Sequence, residues 1–305
     1  MRRRELLGAA AMCGLAGALG GRAALAAPAS RRTLGLQLYT VLVPLEQDFD
    51  GTLQAVANIG YKEVETIGSF GRDPKHVREV FDRYGLKSPS QHLVPGNLYE
   101  VFNAFAAKRM SSDEIHQRWL SGMSVDRVIP IIEEGIARAK ILGQQYLVWQ
   151  IIWPEQMATR EAMDKFCRAM NAAGDACTKA GLGFNFHNHS VEFKPVAGYV
   201  PYDVIVENTD PKTVKLEMDV YWAVAAQADP IAYFTRYPDR YRQCHLKDGD
   251  GKGELAPAGK GVVDFPAVLK AARQAGIEHY YFEYDRSDEP MVVTRQSFEY
   301  LRKFF

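Results

Sequence analysis

The stretch CTKAGLGFNFHNHSVE, residues 177–192, contains in order the end of a predicted helix, a glycine and a predicted strand. Helical spacing of apolar residues runs from Arg160 to Ala180, and Gly181 follows directly. Glycine takes the left-handed conformation that ends many helices without strain. The run LGFNFHNH (182–189) is short and rich in aromatic residues, which predicts a buried strand that ends in polar side chains.

The same unit recurs along the chain. Seven other short runs predict strands: TLGLQLYTV (33–41), YKEVETI (61–67), LKSPSQHL (86–93), QYLVWQII (145–152), TVKLEMDV (213–220), YRQCHLKD (241–248) and EHYYFEYD (278–285). Helical spacing lies between them, at 49–59, 76–84, 125–142, 160–180, 265–275 and 292–304, and several of these helices end at a glycine: Gly60, Gly85, Gly143, Gly181 and Gly276. Eight strands alternating with helices predict an α/β fold, a single-domain (β/α)8 TIM barrel over residues 27–305. An open doubly wound sheet is the weaker alternative, because no G-x-G-x-x-G turn follows the first strand.

Two segments fall outside this repeating unit. Residues 94–123 form a polar insertion after the third strand, which we expect to be a lid over the mouth of the barrel. Residues 1–26 have a basic start, an Ala/Gly/Leu-rich middle and a small-residue end, and residues 3–7 (RRELL) fit a twin-arginine signal peptide. The expectation is a periplasmic or secreted protein with no stable membrane association after signal cleavage. An uncleaved membrane anchor is the alternative.

The composition of the mature chain excludes some classes of partner. Without residues 1–26, which carry four arginines and one glutamate, the 37 basic and 37 acidic residues become 33 and 36. A net charge of about −3 gives no field that would attract nucleic acid or an anionic membrane. The remaining cysteines, Cys167, Cys177 and Cys244, are odd in number and predict no disulfide framework. Assembly into a homo-oligomer stays open.

Polar side chains collect where the predicted strands end. In a TIM barrel the active site lies at the C-terminal ends of the strands. These positions hold Gln37, Tyr39, Glu65, His92, Trp149, Gln150, His187, His189, Asp219, His245, Lys247, Glu283 and Asp285. Four of the seven histidines therefore fall on one rim, which predicts a functional site there.

A metal site is predicted within this rim. Asp219, His245 and Glu283 end three adjacent strands, and His187 ends the strand beside them. Carboxylate and imidazole ligands suit a divalent metal such as Mn²⁺, Mg²⁺, Co²⁺ or Zn²⁺. Each residue alone has a plainer interpretation, since a strand-end aspartate is often a turn former and a buried histidine is often only hydrogen-bonded. Their convergence predicts these four residues as ligands.

The strand-end stretches also resemble those of a known family. GLQLYTV, GYKEVE, FHNHSVEF, LEMDVYWA, CHLKD, AGKGVVDF and YYFEYD follow the order of the sugar phosphate isomerase/epimerase family, the xylose isomerase-like TIM barrels, over essentially the whole mature chain. The resemblance implies that Asp219, His245 and Glu283 are metal ligands. In the family's ketose epimerases the ligand on strand five is a catalytic glutamate, whereas His187 stands here. The two-glutamate mechanism therefore does not carry over directly, and Glu192 is the nearby acid that could replace the missing one.

The chemistry of the family implies roles for other rim residues. A bound divalent ion stabilises an enediolate while a base and an acid move protons, which gives isomerisation, epimerisation or elimination. Candidate catalytic residues are Glu283 as base, Glu65 as acid/base partner across the barrel, and Lys247 beside a developing oxyanion or a sugar hydroxyl. Candidate substrate contacts are His92, His189, Tyr39 and Trp222, with Trp149 and Trp153 as further stacking residues. The plainer alternatives are an ion-paired glutamate, a solvated lysine and core aromatics.

These features predict a divalent-metal-dependent sugar isomerase or epimerase. Export and the lack of a phosphate cradle favour a small carbohydrate without phosphate as substrate. Two alternatives stay open: a metal-dependent lyase or hydratase acting on keto-sugar glycosides, and a non-catalytic sugar-binding barrel, which has no need of dense metal ligands. The abasic-site endonucleases share this barrel but are disfavoured by the charge and by the number of ligands.

Overall fold

The computed structural model of the protein describes residues 32–305. The signal peptide predicted for residues 1–26 lies outside the described residues, as do the first five residues of the predicted barrel domain. Across the part that is described, no helix has the length and apolar character needed to cross a bilayer.

Eight parallel strands close into a barrel, which confirms the predicted fold. The strands, numbered along the chain, are β1 (Leu34–Gln37), β2 (Glu63–Ile67), β3 (Lys87–His92), β4 (Tyr146–Trp149), β5 (Gly183–His187), β6 (Val214–Asp219), β7 (Tyr241–Leu246), β8 (Asp248–Gly249), β9 (Leu255–Ala256) and β10 (His279–Phe282). Strands β8 and β9 form a separate antiparallel hairpin. The order around the barrel is β1-β10-β7-β6-β5-β4-β3-β2, so strands that follow one another along the chain are neighbours in space.

Helices surround this barrel. They are α1 (Leu42–Gln47), α2 (Phe49–Ile59), α3 (Pro74–Tyr84), α4 (Tyr99–Ala106), α5 (Ser112–Gly122), α6 (Val128–Leu142), α7 (Pro154–Met157), α8 (Arg160–Lys179), α9 (Pro201–Asn208), α10 (Val220–Ala225), α11 (Pro230–Arg236), α12 (Phe265–Gln274) and α13 (Pro290–Leu301), with 3₁₀ turns at Leu38–Val41, Gly96–Leu98, Val125–Arg127, Val191–Phe193 and Arg302–Phe304. Helices α3 and α6 end at Gly85 and Gly143, whose φ values of 65° and 73° are the left-handed caps that the sequence predicts.

The first strand is shorter than predicted. It ends at Gln37, and the 3₁₀ turn Leu38–Val41 replaces the second half of the predicted run 33–41. The Gln37 side-chain oxygen accepts the N–H of Tyr39 at 3.1 Å and so caps this turn. Tyr39 therefore lies in a helical turn above the strand end rather than in the strand itself.

The insertion at 94–123 contains helices α4 and α5. Although the stretch is rich in polar residues, it buries Val101, Ile115 and Trp119, each less than 10% exposed. Helix α5 begins with a capping box, in which Ser111 and Glu114 exchange side-chain and backbone hydrogen bonds. These helices are therefore packed elements of the domain, and their opening and closing as a lid stays a prediction.

Strand register brings polar side chains to common levels inside the barrel. His187 of β5 pairs with Glu217 of β6, and Asp219 of β6 pairs with His245 of β7. Side chains alternate along a strand, so Glu217 and Asp219 point to the same side, into the barrel. Leu216 and Met218 alternate with them along the strand, point to the opposite side and pack in the hydrophobic core.

Candidate active site

A cavity of ≈ 700 Å³ opens at the C-terminal ends of the strands. Its polar floor includes His92, His187, His189, Glu283 and Asp285. Aromatic and aliphatic side chains form much of its upper wall: Tyr39, Phe102, Phe105, Ile115, Trp119, Trp153, Trp222, Leu255 and Tyr284. A cavity of this size, with a few converging polar groups, has the features of a small-molecule site.

The four residues predicted as metal ligands lie together. One ligand atom from each of His187, Asp219, His245 and Glu283 lies within 4.8 Å of the other three, and all four side chains are buried. Asp219 Oδ1 accepts the backbone N–H groups of Tyr221 and Trp222 and so caps helix α10. The capping bonds fix the carboxylate and leave Oδ2 directed at the cluster.

The four side chains of this cluster are ligands of the kind that a divalent ion prefers. It combines two carboxylates and two imidazoles, and its members have partners that orient them. His245 Nδ1 lies 3.0 Å from Glu283 Oε2, and Asn188 holds β6 beside β5 by bonding the backbone of Asp219 in both directions, each at 3.2 Å. The assignment of these four residues as ligands remains a prediction, and the geometry is compatible with it.

Lys247 lies within the same cluster. Its Nζ is 2.8 Å from Glu283 Oε2, 2.9 Å from Asp285 Oδ2 and 3.1 Å from Asp219 Oδ2. The Asp219 contact is an ion pair only, since Oδ2 accepts no well-aligned hydrogen bond among the residues that the structure describes. The side chain of Lys247 is 1% exposed, so the plainer expectation of a solvated lysine is wrong. Burial opposes the charged form, but the three carboxylates outweigh it and raise the pKa of Lys247 well above its ordinary value.

Two glutamates lie one level deeper in the barrel. Glu217 Oε2 lies 2.9 Å from His92 Nε2 and 3.0 Å from His187 Nδ1. Glu65 Oε2 lies 2.7 Å from His245 Nε2. Glu65 also accepts hydrogen bonds from the side chains of Gln37 and Ser90, at 2.7 Å and 2.5 Å.

The deep position of Glu65 bears on its predicted role. Its side chain is fully buried and is not part of the cavity wall. Both of its oxygens are hydrogen-bonded. The geometry therefore gives Glu65 contacts to the imidazoles of His245 and His92, and its role as an acid/base partner stays a prediction.

Charge in this network shifts several pKa values. Burial opposes ionisation of Glu217, but His245 and His187 outweigh it and hold the pKa of Glu217 well below its usual range. Burial likewise disfavours protonated His92, but Glu65 and Glu217 raise the pKa of His92 to about 9. Burial lowers the pKa of His187 despite its bond to Glu217, which favours the neutral imidazole that a metal ligand requires.

The two carboxylates beside Lys247 have opposite environments. For Glu283, burial raises the pKa, but Lys247 and His245 outweigh it and hold the pKa well below its usual range. For Asp285, burial and the nearby Glu283 outweigh Lys247 and raise the pKa to about 6. Asp285 stands at a predicted strand end, but its position in the sequence does not indicate this pairing with Lys247.

The side chains of residues 187–189 (His-Asn-His) are divided between the cavity and the neighbouring strand. His187 and His189 line the cavity, while Asn188 bonds the backbone of Asp219. The backbone N–H of His189 donates to Glu192 Oε2 at 3.0 Å. Glu192 is fully buried and is not part of the cavity wall, so the structure shows it holding this turn, and its catalytic role stays a prediction. Burial raises the pKa of Glu192 to about 7.

The predicted aromatic contacts divide in the same way. Tyr39, Trp153 and Trp222 line the cavity. Trp149 does not; it is fully buried and its indole N–H donates to the carbonyl of Ile151 at 2.8 Å. The prediction that Trp149 stacks on a sugar is therefore wrong, because alternation along β4 turns it away from the barrel interior.

Sequence reasoning missed Glu217. The predicted site holds only strand-end residues, and Glu217 stands two residues before Asp219 on the same strand. Alternation places both on one face, and that signal could have identified it.

The chain is similar to a known family, to a relative of assigned activity and to solved structures. The family described as xylose isomerase-like TIM barrel matches residues 53–304. An inosose dehydratase of Geobacillus thermodenitrificans is 25% identical over 280 residues, covering 85% of this chain and 88% of the relative. A crystal structure of a sugar phosphate isomerase/epimerase from Parabacteroides distasonis superposes with a TM-score of 0.73 and 26% identity, over 89% of this chain and 98% of the other. A structure of the IOLI protein with a zinc atom has a TM-score of 0.64 and 15% identity, over 90% of this chain and 99% of that one.

Proposed function

The chain belongs to the xylose isomerase-like TIM barrel family, and we propose that it is a metal-dependent carbon–oxygen lyase acting on a keto-sugar or keto-sugar glycoside without phosphate. The observation that carries this proposal is the arrangement of carboxylates around the cavity. Of the four that line it, Glu254 and Asp288 are exposed. Glu283 and Asp285 lie at the floor, both follow β10, and both contact Lys247 Nζ.

A one-sided pair of carboxylates favours elimination over epimerisation. Epimerisation by two carboxylates needs one on each face of the reacting carbon. Here the strands across the cavity from β10 present the imidazoles of His92, His187 and His189 instead. Elimination needs a base beside the C–H bond and an acid beside the leaving oxygen, and neighbouring groups on one face can supply both.

The residues proposed to hold the metal are His187, Asp219, His245 and Glu283. A divalent ion bound there supplies Lewis-acid polarisation of the substrate carbonyl, which acidifies the adjacent C–H bond. The zinc named for the IOLI structure supports a divalent ion of this kind.

In the proposed reaction Glu283 accepts the proton from the carbon next to the carbonyl. The electron pair of that C–H bond forms a carbon–carbon double bond, and the β carbon–oxygen bond breaks. The leaving oxygen takes a proton from the Asp285 carboxyl group, so that water or an alcohol departs. Lys247 holds the two carboxylates side by side and offsets their charge.

Two further observations support a keto-sugar substrate. Two relatives that match 76% and 85% of this chain are named inosose dehydratases, a name for enzymes that remove water from an inosose. The upper wall of the cavity, formed by side chains such as Phe102, Phe105 and Trp119, extends beyond the polar floor. That wall would suit an apolar group attached to the sugar.

Isomerisation or epimerisation of a free sugar is the second candidate. The solved structure from Parabacteroides distasonis is named for that activity, and its 26% identity supports it for this chain. The same base and metal would serve, with the proton returned to carbon instead of a leaving group departing.

The two candidates are separated by one incubation. Metal-loaded protein is mixed in D2O with a nitrophenyl 3-keto-glycoside and, separately, with free ketoses. Released nitrophenol supports the lyase, whereas deuterium in recovered ketose without release supports isomerisation or epimerisation. Binding without either change would leave a sugar-binding barrel as the better description.

A matched pair of variants tests the base. Glu283→Gln should lower kcat by about 10²–10⁴-fold. Glu299→Gln, which changes an exposed acid paired with Arg302, is the control and should leave kcat unchanged. Equal activity in both variants would exclude Glu283 as the base.

We also propose that the chain acts outside the cytoplasm, supported by the sequence of residues 1–26. Mass spectrometry of periplasmic protein should find a mature chain that begins at Ala27. Replacing Arg3 and Arg4 by lysine should leave the precursor in the cytoplasm. A full-length chain in both compartments would contradict the proposal.

A further inference from the structure

A second group of possible ligands begins at the cavity floor and extends beneath it. It consists of His92, His187, Glu217 and His245, which come from β3, β5, β6 and β7. One ligand atom of each lies within 4.8 Å of the other three. All four side chains are buried, and His92, the most accessible, is 7% exposed. We call this group the deep cluster.

The charges around the deep cluster differ from those at the floor. Glu65 and Glu217 are both fully buried. Glu217 contacts only the imidazoles of His92, His187 and His245, and no Lys or Arg forms an ion pair with either glutamate within residues 32–305. The floor carboxylates, in contrast, share the ammonium group of Lys247.

Two buried carboxylates without a fixed cation are costly. Removing a carboxylate from water strongly disfavours its charge unless an opposite charge lies close by. Protons on the imidazoles can supply that charge, and so can a metal ion between the same atoms. Among residues 32–305, Glu217 Oε1 accepts no well-aligned hydrogen bond, and it lies 3.4 Å from His245 Nε2, so one carboxylate oxygen in the cluster remains open to a ligand.

We propose that the chain binds a divalent transition-metal ion at the deep cluster, through His92, His187, Glu217 and His245. Three imidazoles and one carboxylate favour Zn²⁺, Co²⁺ or a similar ion over Mg²⁺ and Ca²⁺, which prefer oxygen ligands. This position lies below the one used in the proposed reaction and shares His187 and His245 with it. The inference does not depend on that reaction.

The shared histidines have contacts at both levels. His245 contacts Glu283 at the floor through Nδ1 and Glu65 below through Nε2. His187 contacts Glu217 through Nδ1 and also lines the cavity. Each ring therefore reaches both positions, and occupancy of the deep cluster would fix the orientation of two ligands of the upper one.

Anomalous scattering tests the proposal directly. Crystals of the full chain are grown with Zn²⁺ or Co²⁺, and data are collected on each side of the metal absorption edge. We expect an anomalous peak in bonding distance of the Glu217 carboxylate, whether or not a second peak lies at Asp219. A peak beside Asp219 and Glu283 alone, or no peak at all, overturns the proposal.

Paired variants measure the same position in solution. Glu217→Gln keeps the shape of the side chain and should weaken Co²⁺ binding, followed by its visible absorption, by at least about 100-fold. His92→Asn, which removes the other ligand that belongs to the deep cluster alone, should do the same. Asp219→Asn should retain one Co²⁺ per chain. Full Co²⁺ affinity in both deep-cluster variants overturns the proposal, and neither outcome depends on turnover.

Discussion

The ammonium group of Lys247 lies 2.8 Å from Glu283 Oε2 while its side chain is 1% exposed. The same nitrogen contacts Asp219 and Asp285. One positive charge therefore faces three carboxylates at the cavity floor, and the excess negative charge is what a divalent ion would neutralise.

Lys247→Met should destabilise the protein by about 3–5 kcal/mol, because it leaves buried carboxylates without their cation. Millimolar Mn²⁺ should restore part of this loss, since an ion that binds only the folded state stabilises it. Urea denaturation with and without Mn²⁺ measures both effects. Lys108→Met is the control: it breaks the exposed pair with Asp288 and should cost less than about 1 kcal/mol. A Lys247 variant as stable as this control would contradict the ion-pair account.

Asp248→Asn should destabilise the protein by about 2–4 kcal/mol. The Asp248 carboxylate accepts four backbone N–H groups, from Gly249, Gly259, Gly261 and Val263, at 2.9 to 3.1 Å. An amide offers only one acceptor oxygen and sets an NH2 group against the remaining donors. Chemical denaturation provides the measurement.

The matched control for that variant is Asp229→Asn. Asp229 caps the exposed start of α11 through a single bond to the N–H of Ile231 at 2.8 Å. Asparagine caps helices about as well as aspartate, so the change should stay within about 0.5 kcal/mol. If the two variants lose the same free energy of unfolding, the four hydrogen bonds that Asp248 accepts are not what stabilises its loop.

Glu192→Gln should change how stability depends on pH. Burial raises the pKa of Glu192 to about 7 from an ordinary 4.5, so the folded state binds more protons than the unfolded state between these values. The contribution of Glu192 to stability is therefore fully present below the pKa of this group in the unfolded state. It is lost as the pH rises through the pKa of the group in the folded state. From pH 5 to 8 the wild-type protein should therefore lose about 2–3 kcal/mol relative to the variant. Parallel pH profiles of the two proteins would refute this.

Phe105→Ala should lower kcat/KM for an aryl keto-glycoside by about tenfold and leave the methyl glycoside of the same sugar nearly unchanged. Phe105 lies in the apolar wall of the cavity, with the guanidinium of Arg286 4.4 Å from its ring centroid. The exposed Ile129→Ala on α6 is the control. If both substrates lose equally, the wall does not bind the attached group.

Much of the fold was predictable because its signals are local. Each of the eight barrel strands lies within a predicted run, and the glycines at 85 and 143 cap the helices that the spacing indicates. Strand ends alone were enough to predict that His187, Asp219, His245 and Glu283 converge, because consecutive parallel strands are neighbours in a barrel.

Whether an inward-pointing side chain lines the cavity or lies beneath its floor depends on its depth within the barrel. The sequence pattern does not indicate this depth. Glu65 and Asp285 both stand at predicted strand ends, yet Glu65 lies beneath the floor and Asp285 lines the cavity. A run of alternating residues fixes which face a side chain takes, but the level it reaches depends on strand stagger and on the neighbouring side chains.

The sequence by itself determined the barrel, its strand order and the set of polar residues on one rim, because periodicity and helix caps act over a few residues. Tertiary structure alone decided how the charges pair. It placed Lys247 among three carboxylates and Glu217 among three imidazoles. Pairing depends on distances of a few ångströms between strands far apart in the chain, and only closure of the barrel sets those distances.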